Sequence, residues 1–113
     1  MVERQKAHMQ KAKPHVLKDI ISYARGSIVS KTLLEKKAGT LTVFAFDKGQ
    51  GLSEHTAPFD AVVEVLDGEA VLTIGGKRVT VRCGELVIMP AAVPHSLKAR
   101  KRFKMLLTMI RSK

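Results

Sequence analysis

Glycine turns divide most of this 113-residue chain into short apolar runs. Two turns are the clearest: Asp67-Gly68 separates VVEVL from EAVLTI, and Gly75-Gly76 separates AVLTI from KRVTV. Because glycine tolerates the positive φ of a two-residue hairpin, both sites predict tight antiparallel hairpins. Short strands at such even spacing indicate an all-β sandwich or barrel of the jelly-roll type. Strands are predicted near residues 28–35, 40–47, 52–57, 61–66, 70–75, 78–82, 86–89, 94–98 and 102–110.

The N-terminal part differs in composition. Residues 1–15 are polar, rich in lysine and interrupted by Pro14, which is typical of a frayed helix or a disordered arm. A short helix is predicted over residues 16–23. We therefore divide the chain into a basic N-terminal arm with a short helix, residues 1–25, and one β-barrel domain, residues 26–113. This length is enough for one hydrophobic core but not for two.

The formal net charge of +10 is unevenly distributed along the chain. Residues 1–37 hold nine Lys/Arg against three acids, and residues 98–113 hold seven against none, whereas the segment between them has a net charge of −3. Basic ends attract phosphate without sequence specificity, and five aromatic residues leave few platforms for base stacking. Specific nucleic-acid binding is therefore not expected.

Two further features bear on the compartment. No apolar run is long enough to cross a membrane, and the first residues carry charges where a signal peptide would need an apolar block. Cys83 is the single cysteine, so an intramolecular disulfide and a cysteine-based zinc cluster are both excluded. These features predict a cytoplasmic protein that does not associate with membranes.

Two groups of residues in the middle of the chain keep a regular spacing. The first group is Gly49, His55, Ala57, Ala61 and Gly68, and the second is Gly84, Pro90, Ala92, His95 and Ala99. In ungapped register this spacing resembles the two motifs of the cupin family, in which a glycine, a His-x-His pair, a glutamate and a glycine are followed by a glycine, a Pro-x-Gly turn, a histidine and an asparagine. The resemblance implies a cupin-type β-barrel or jelly roll of the minimal single-domain bacterial kind.

The resemblance also implies a metal site that this sequence does not complete. In metal-binding cupins, the His-x-His pair, the glutamate and the second-motif histidine hold one divalent cation inside the barrel. Here His55 and His95 match, but Ala57 and Ala61 occupy the other two ligand positions. The two-residue period of a strand places His55, Ala57 and Ala61 on the interior face. Since two imidazoles fall short of the usual ligand number, a divalent metal is expected to bind weakly or not at all.

Alternatives remain open for this site. His55 and His95 form either a hydrogen-bonded pair in an apolar cavity or an incomplete metal site that water or substrate completes. Asp60 lies one position before Ala61, and a bulge at Pro58-Phe59 would turn it inward as a substitute ligand. In a second register, Ser53, His55 and Asp60 take the first-motif positions.

The alternating methionines near the second histidine add one remoter alternative. Met89, Met105 and Met109 would supply soft ligands for copper(I) beside the two histidines. Methionines in this arrangement more often fill irregular gaps in a core. A core role is therefore the better interpretation.

Two functions from different classes are consistent with these residues. The first is binding of a small molecule in an apolar barrel pocket, with His55, His95 and Asp60 as the polar groups. The second is an enzyme: His55, His95 or Asp60 acts as a general acid or base, or a recruited metal supports the oxygenase, isomerase or decarboxylase chemistry that the resemblance implies. The predicted pocket residues are Phe44, Phe46, His55, Ala57, Phe59, Ala61, Val63, Val65, Met89, His95, Met105 and Met109.

The pattern of the central and last strands bears on assembly. The runs VVEVL and LLTMI are apolar on both faces, which indicates that each strand is covered on both sides. A barrel of this length has little chain of its own to provide that cover. A homodimer is therefore predicted, with residues 28–46 at the interface.

Overall fold

The computed structural model describes residues 2–6 and 9–111. These residues form ten strands and one short helix, so the predicted all-β architecture is confirmed. The elements in chain order are β1 (Val2–Lys6), α1 (Leu17–Ile20), β2 (Ile28–Lys36), β3 (Gly39–Phe46), β4 (Gly51–His55), β5 (Asp60–Asp67), β6 (Glu69–Ile74), β7 (Lys77–Arg82), β8 (Leu86–Met89), β9 (His95–Lys98) and β10 (Phe103–Ile110). Nine of the strands match the nine predicted runs to within about two residues at each end.

The strands belong to two sheets that enclose the core. A six-stranded sheet has the order β1-β2-β3-β10-β5-β8, and a four-stranded sheet has the order β4-β9-β6-β7. Strands that follow one another in sequence often lie in different sheets, which is the arrangement of a jelly roll. All pairings are antiparallel except that of β1 with β2.

The two glycine turns have different roles. Gly75-Gly76 connects β6 to β7 as a hairpin, and both glycines have positive φ, as predicted. The prediction of a hairpin at Asp67-Gly68 is wrong, because β5 and β6 separate there into different sheets. Gly68 also has positive φ, but a Cβ at this position would lie 2.6 Å from the Arg102 carbonyl oxygen. Glycine is required at Gly68 because the chain passes close to another backbone at a corner.

The core lies between the sheets and is densest at one end of the barrel. Phe46 and Phe103 are fully buried there and stack with their ring centroids 4.7 Å apart. Leu72 and Met105 are also among the largest fully buried side chains. Aromatic stacking of this kind adds about 0.5–1.5 kcal/mol to the stability gained from burial alone. Side chains therefore fill the space around Phe46 and Phe103.

The N-terminal region differs in part from the expectation. A frayed helix or disordered arm was expected over residues 1–15, but Val2–Lys6 form β1, paired in parallel with the edge of β2. An edge strand gains its hydrogen bonds from the backbone and needs little apolar sequence, so composition alone does not reveal it. Val2 of this strand packs against the core. The predicted helix is confirmed as the single turn α1.

The segment after α1 covers part of the outer face of the six-stranded sheet. Ile21 is 1% exposed and packs with Val29, Val43 and Ala45, which point away from the barrel interior. Lys31 and Lys104 donate hydrogen bonds to the backbone carbonyls of Ile20 and Lys18. The chain therefore supplies part of the cover that the two-faced apolar strands require. Within the described ranges no helix is long and apolar enough to cross a membrane.

Candidate functional site

An apolar cavity of about 150 Å³ occupies the barrel interior at the end away from the aromatic core. Residues from both sheets line it, and its polar groups are grouped on one wall. The lining residues are Leu52, His55, Ala57, Ala61, Met89, His95, Ser96, Leu97, Met105, Leu107 and Met109. Both alanines at the motif positions therefore face the same space as the two histidines.

A β-bulge aims His55 at the interior. Strand β4 pairs with β9 at Gly51–Lys98 and Leu52–Leu97, but the next pair is His55 with His95, so the register shifts between Leu52 and His55. An extra residue in one strand reverses the side-chain alternation that follows it. As a result Leu52 and His55, an odd number of residues apart, both reach the cavity.

The two imidazoles are held at a fixed separation. Nε2 of His55 lies 3.1 Å from Nε2 of His95, and the rings meet edge to face with centroids 4.3 Å apart. His95 is 7% exposed, whereas His55 is exposed at the rim. The pair therefore extends from solvent to the buried end of the cavity wall.

Backbone carbonyls determine which nitrogen of each ring carries hydrogen. Nδ1 of His55 lies 2.8 Å from the Ser53 carbonyl oxygen, and Nδ1 of His95 lies 3.1 Å from that of Val93. A carbonyl oxygen only accepts hydrogen bonds, so both Nδ1 atoms donate. In two neutral rings, both Nε2 atoms would then present lone pairs to each other. A hydrogen on one Nε2 atom would make this 3.1 Å contact a hydrogen bond.

We compared this donor set with the metal site that the motif resemblance implies. Two imidazole nitrogens on one zinc ion, each about 2.0–2.1 Å away, would be roughly 2.9–3.4 Å apart, so the separation of the pair suits a shared ion. The number of ligands does not suit it, because Ala57 and Ala61 stand where the other two ligands would be. Among the described residues no three His, Cys, Asp or Glu side chains come together. The residues therefore do not fit a resident four-ligand metal.

Asp60 does not supply a missing ligand. Its Oδ1 accepts a hydrogen bond of 2.8 Å from the Ala91 backbone amide, which ties the start of β5 to the turn before β9. The second register, with Ser53, His55 and Asp60 as ligands, does not match this geometry, since Asp60 turns to the backbone and the Ser53 carbonyl holds the ring of His55. The structure likewise does not bring Asp60 to the histidines as a catalytic partner.

The predicted pocket residues fall into two groups. Seven of them line the cavity: His55, Ala57, Ala61, Met89, His95, Met105 and Met109. Phe44, Phe46, Phe59, Val63 and Val65 do not. Phe46, Val63 and Val65 are buried in the filled part of the core, Phe44 stacks on Phe46 with centroids 5.8 Å apart, and Phe59 is partly buried before β5. Strand alternation identified the interior face, but it does not give the depth of a residue along the barrel.

Four lining residues were missed. Leu107 lies between Met105 and Met109 on the same face of β10, and Leu97 follows His95 by two residues on β9. Period-two alternation alone would have found both. Leu52 could not be found in this way, because the bulge changes the parity between it and His55. Ser96 also contributes to the lining.

Comparisons with known proteins identify the family and support the fold. The sequence model of the cupin domain matches residues 42–110, which is more than half of the chain. A conserved protein of unknown function from Streptococcus pyogenes is 34% identical, with a TM-score of 0.88, over 93% of this chain and 92% of that one. No match was found among proteins of curated function.

Two further solved structures are similar. A cupin 2 conserved barrel domain protein from Leptotrichia buccalis is 40% identical, with a TM-score of 0.80, over 83% of this chain; the match spans 46% of that longer chain. A cupin superfamily protein from Desulfitobacterium hafniense shares the fold, with a TM-score of 0.86 and 24% identity, over 92% of this chain and 95% of that one. Because the cupin domain model matches more than half of the chain and a 34% identical structure covers nearly all of it, the chain belongs to the cupin family.

Proposed function

We propose that this cupin barrel binds a small, mainly apolar molecule in the cavity beside His55 and His95. The observation that carries the proposal is the composition of the cavity wall: aliphatic and methionine side chains surround the two histidines and Ser96. Small-molecule sites are mostly apolar with a few placed polar groups that orient the ligand. The paired Nε2 atoms are the groups that would orient it.

The size of the cavity limits the ligand. A volume of about 150 Å³ is below the roughly 300–1,000 Å³ of sites for drug-sized ligands, and an apolar cavity of roughly this size holds a benzene-sized molecule. The Nε2 atoms of the imidazole pair would hydrogen-bond to a hydroxyl or carboxylate group at one end of the ligand. The expected ligand is therefore a single small ring or short branched chain with one polar group.

Methionine methyl groups provide a direct test. Met89, Met105 and Met109 line the cavity, whereas Met9 lies outside it, so all four are reporters in one sample. We expect titration with phenol or benzoate to shift the three cavity methyl signals along one saturable curve and to leave Met9 in place. Equal movement of Met9, or no saturation, would contradict a site in the barrel.

A matched pair of variants separates cavity binding from surface binding. Ala57→Leu would fill part of the cavity, because Ala57 lines it, and should weaken binding of phenol. Ala91→Leu adds the same side chain outside the cavity and should leave binding unchanged. If both variants bind phenol as the natural protein does, the ligand lies elsewhere.

Acid–base catalysis is the second candidate function, and the position of the pair favours it. His55 reaches solvent while His95 is 7% exposed at the cavity wall, so a proton held between their Nε2 atoms has a route from solvent to a bound molecule. Imidazole is suited to such transfer near neutral pH. Such a site would move a proton to or from a carbon or oxygen of the ligand, as an isomerase does.

Hydrogen exchange into a simple carbon acid tests the enzymatic candidate. Cyclopentanone, a ring of suitable size, would be incubated with the protein in heavy water. Exchange faster than with an equal concentration of free imidazole, and lost in His95→Gln, would support catalysis. If the natural protein exchanges hydrogen no faster than free imidazole, the enzymatic candidate is contradicted and binding alone remains as the proposed function.

We further propose that the protein is a homodimer. One row of directly paired residues crosses five strands on the outer face of the six-stranded sheet: Leu34, Leu41, Thr108, Val62 and Ile88, named here the outer row. Leu34 and Ile88 are 42% and 56% exposed. The row contains no charged residue, although the chain carries +10. A two-fold axis over this row would bury the same uncharged surface of both copies.

A further inference from the structure

The outer face of the four-stranded sheet forms a basic cleft of about 490 Å³. This cleft differs from the barrel cavity in chemistry, although Leu52, Ser96 and Leu97 line both. Three cations line it, together with two hydroxyl side chains and two glycines. These residues are Arg78, Lys98, Arg100, Thr73, Ser96, Gly49 and Gly51, beside Leu52, Val71 and Leu97.

Sheet register gathers cations that are far apart in sequence. Strand β6 has β7 on one side and β9 on the other. Thr73 of β6 is paired with Arg78 on β7 and with Ser96 on β9. Lys98, two residues beyond Ser96, is on the same face of β9. The flanking strands are roughly 10 Å apart, so long Arg and Lys side chains from both can meet over β6.

The cations of the cleft are not neutralised by neighbouring acids. In the part of the chain that the structure describes, the ion pair found within 4.0 Å is that of Arg82 with Glu69, and Arg82 does not line the cleft. Arg78, Lys98 and Arg100 are exposed and make no ion pair in the described residues. A concave surface with several like charges concentrates its field and attracts a counter-ion.

Gly49 and Gly51 form one wall of the cleft. A Cβ at Gly51 would lie 2.5 Å from the Leu97 carbonyl oxygen, so a larger residue does not fit there. Gly49 has a φ of +88° and donates a hydrogen bond of 2.8 Å to the Ala99 carbonyl oxygen. The cleft therefore combines a wall without side chains, two hydroxyl donors and three cations.

We propose that this cleft binds the phosphate group of a small phosphorylated molecule. Arg78 and Arg100 supply planar donor groups that match phosphate oxygens, and Lys98 supplies a point charge. The hydroxyls of Thr73 and Ser96 donate hydrogen bonds from the floor of the sheet. A volume of about 490 Å³ leaves room for the organic part of a phosphate monoester. This proposal does not depend on the function of the barrel cavity.

Calorimetric titration at physiological salt tests the proposal, with inorganic phosphate and glycerol 3-phosphate as the two probes. We expect saturable one-to-one binding of at least one probe. Tighter binding of glycerol 3-phosphate would identify a monoester as the natural kind of ligand, and equal binding would identify phosphate itself. An absence of saturable binding with both probes would overturn the proposal.

Two double variants with the same loss of charge provide the control. Arg78→Ser with Lys98→Ser removes two cations of the cleft and should weaken phosphate binding by about tenfold or more, since both charge-assisted contacts are lost. Lys13→Ser with Lys37→Ser removes two exposed cations that do not line the cleft and should keep the natural affinity. An equal loss in both would show attraction to the net charge alone and would overturn the site.

Single-stranded oligonucleotides distinguish a small ligand from a polyanion. The cleft is expected to bind them no more tightly than glycerol 3-phosphate at physiological salt, because non-specific phosphate contacts weaken steeply as salt rises. Tight oligonucleotide binding that is lost in the Arg78→Ser, Lys98→Ser variant would overturn the assignment to a small molecule. Unchanged thermal unfolding of both variants would show that the fold is intact.

Discussion

Nε2 of His55 and Nε2 of His95 lie 3.1 Å apart while both Nδ1 atoms are committed to backbone carbonyls. Each carbonyl belongs to the residue two positions before its histidine, so the same local arrangement occurs on two paired strands. The rings are therefore orientated before any ligand binds. A metal-ligating histidine is normally held in the same way, by a hydrogen bond from its other ring nitrogen, but here alanines occupy the remaining ligand positions.

The two alanines provide the first prediction. Ala57 and Ala61 both face the cavity with the histidines, so Ala57→His with Ala61→Glu should create a four-ligand site in space that already exists. Ligand number and convergence determine affinity. We expect calorimetry to show much tighter zinc binding by the double variant than by the natural protein, with Ala57→His alone intermediate.

Chelation and a size-matched variant complete this test. Ala57→Leu with Ala61→Gln fills similar space without the histidine and the carboxylate, and should not gain the tight site. The natural protein should lose little thermal stability with a chelator, because a weakly occupied site adds little through mass action. Stoichiometric, tight zinc in the natural protein that His55→Ala abolishes would contradict the incomplete-site interpretation.

Most of the fold could be predicted because its signals are local. Turn glycines and two-residue alternation identified β2 to β10, and the Gly75-Gly76 hairpin followed from the φ values that only glycine adopts easily. Asp67-Gly68 has the same sequence pattern as a hairpin turn, but there the chain passes from one sheet to the other. Which strand becomes the neighbour of which is a long-range property, and no residue at the turn encodes it.

The candidate sites were harder to predict for the same reason. His55, Ala57, Ala61 and His95 were found through motif spacing, but the bulge that turns His55 inward depends on pairing with β9. The basic cleft was missed because Arg78 lies in the acidic middle of the sequence, whereas Lys98 and Arg100 lie in the basic end. The fold brings the two regions together. The net charge of each sequence segment does not show which basic side chains become neighbours, so it could not predict the cleft.

Tyr23 provides a prediction about alkaline stability. Burial raises the pKa of Tyr23 above its ordinary value, and so does the hydrogen bond of 2.5 Å that its hydroxyl donates to Asp67; the charge of Arg102 opposes the rise. The unfolded chain would lose this proton near pH 10, while the folded chain keeps it. The free energy of unfolding should therefore be unaffected below about pH 10 and fall as the pH rises above it.

Tyr23 is the single tyrosine of a chain without tryptophan, so the tyrosinate absorbance band reports on it alone. The band should appear at higher pH in the folded protein than in urea. Urea unfolding at about pH 9 and about pH 11 should show a smaller alkaline loss of stability in Tyr23→Phe than in the natural protein. Asp67→Asn, which removes the charge, should give a smaller upward pKa shift. Coincident folded and unfolded titrations would contradict the prediction.

The outer row provides a prediction about assembly. Ile88→Lys introduces a charge into an uncharged row, and a homodimer that buries this row should dissociate at micromolar concentration. Val16→Lys changes another exposed apolar residue, 60% exposed and outside the row, and should leave the dimer intact. Sedimentation velocity measures both. A natural protein that sediments only as a monomer would contradict the homodimer.

Ala92 provides the last prediction, because it holds a conformation that glycine adopts more easily. Its φ is 63°, at the position where the motif resemblance places the glycine of a Pro-x-Gly turn, and its amide donates a hydrogen bond of 2.8 Å to the Ala57 carbonyl oxygen. A left-handed alanine costs about 1–2 kcal/mol, and glycine costs about 0.5–1 kcal/mol in chain entropy. Ala92→Gly should therefore raise the free energy of unfolding by about 0.5–1 kcal/mol in urea titrations.

Ala91→Gly is the matched control. Ala91 is not among the residues with positive φ, so the same change there should lower the free energy of unfolding by about 0.5–1 kcal/mol. Destabilisation by both variants alike would show that the turn before β9 does not strain Ala92.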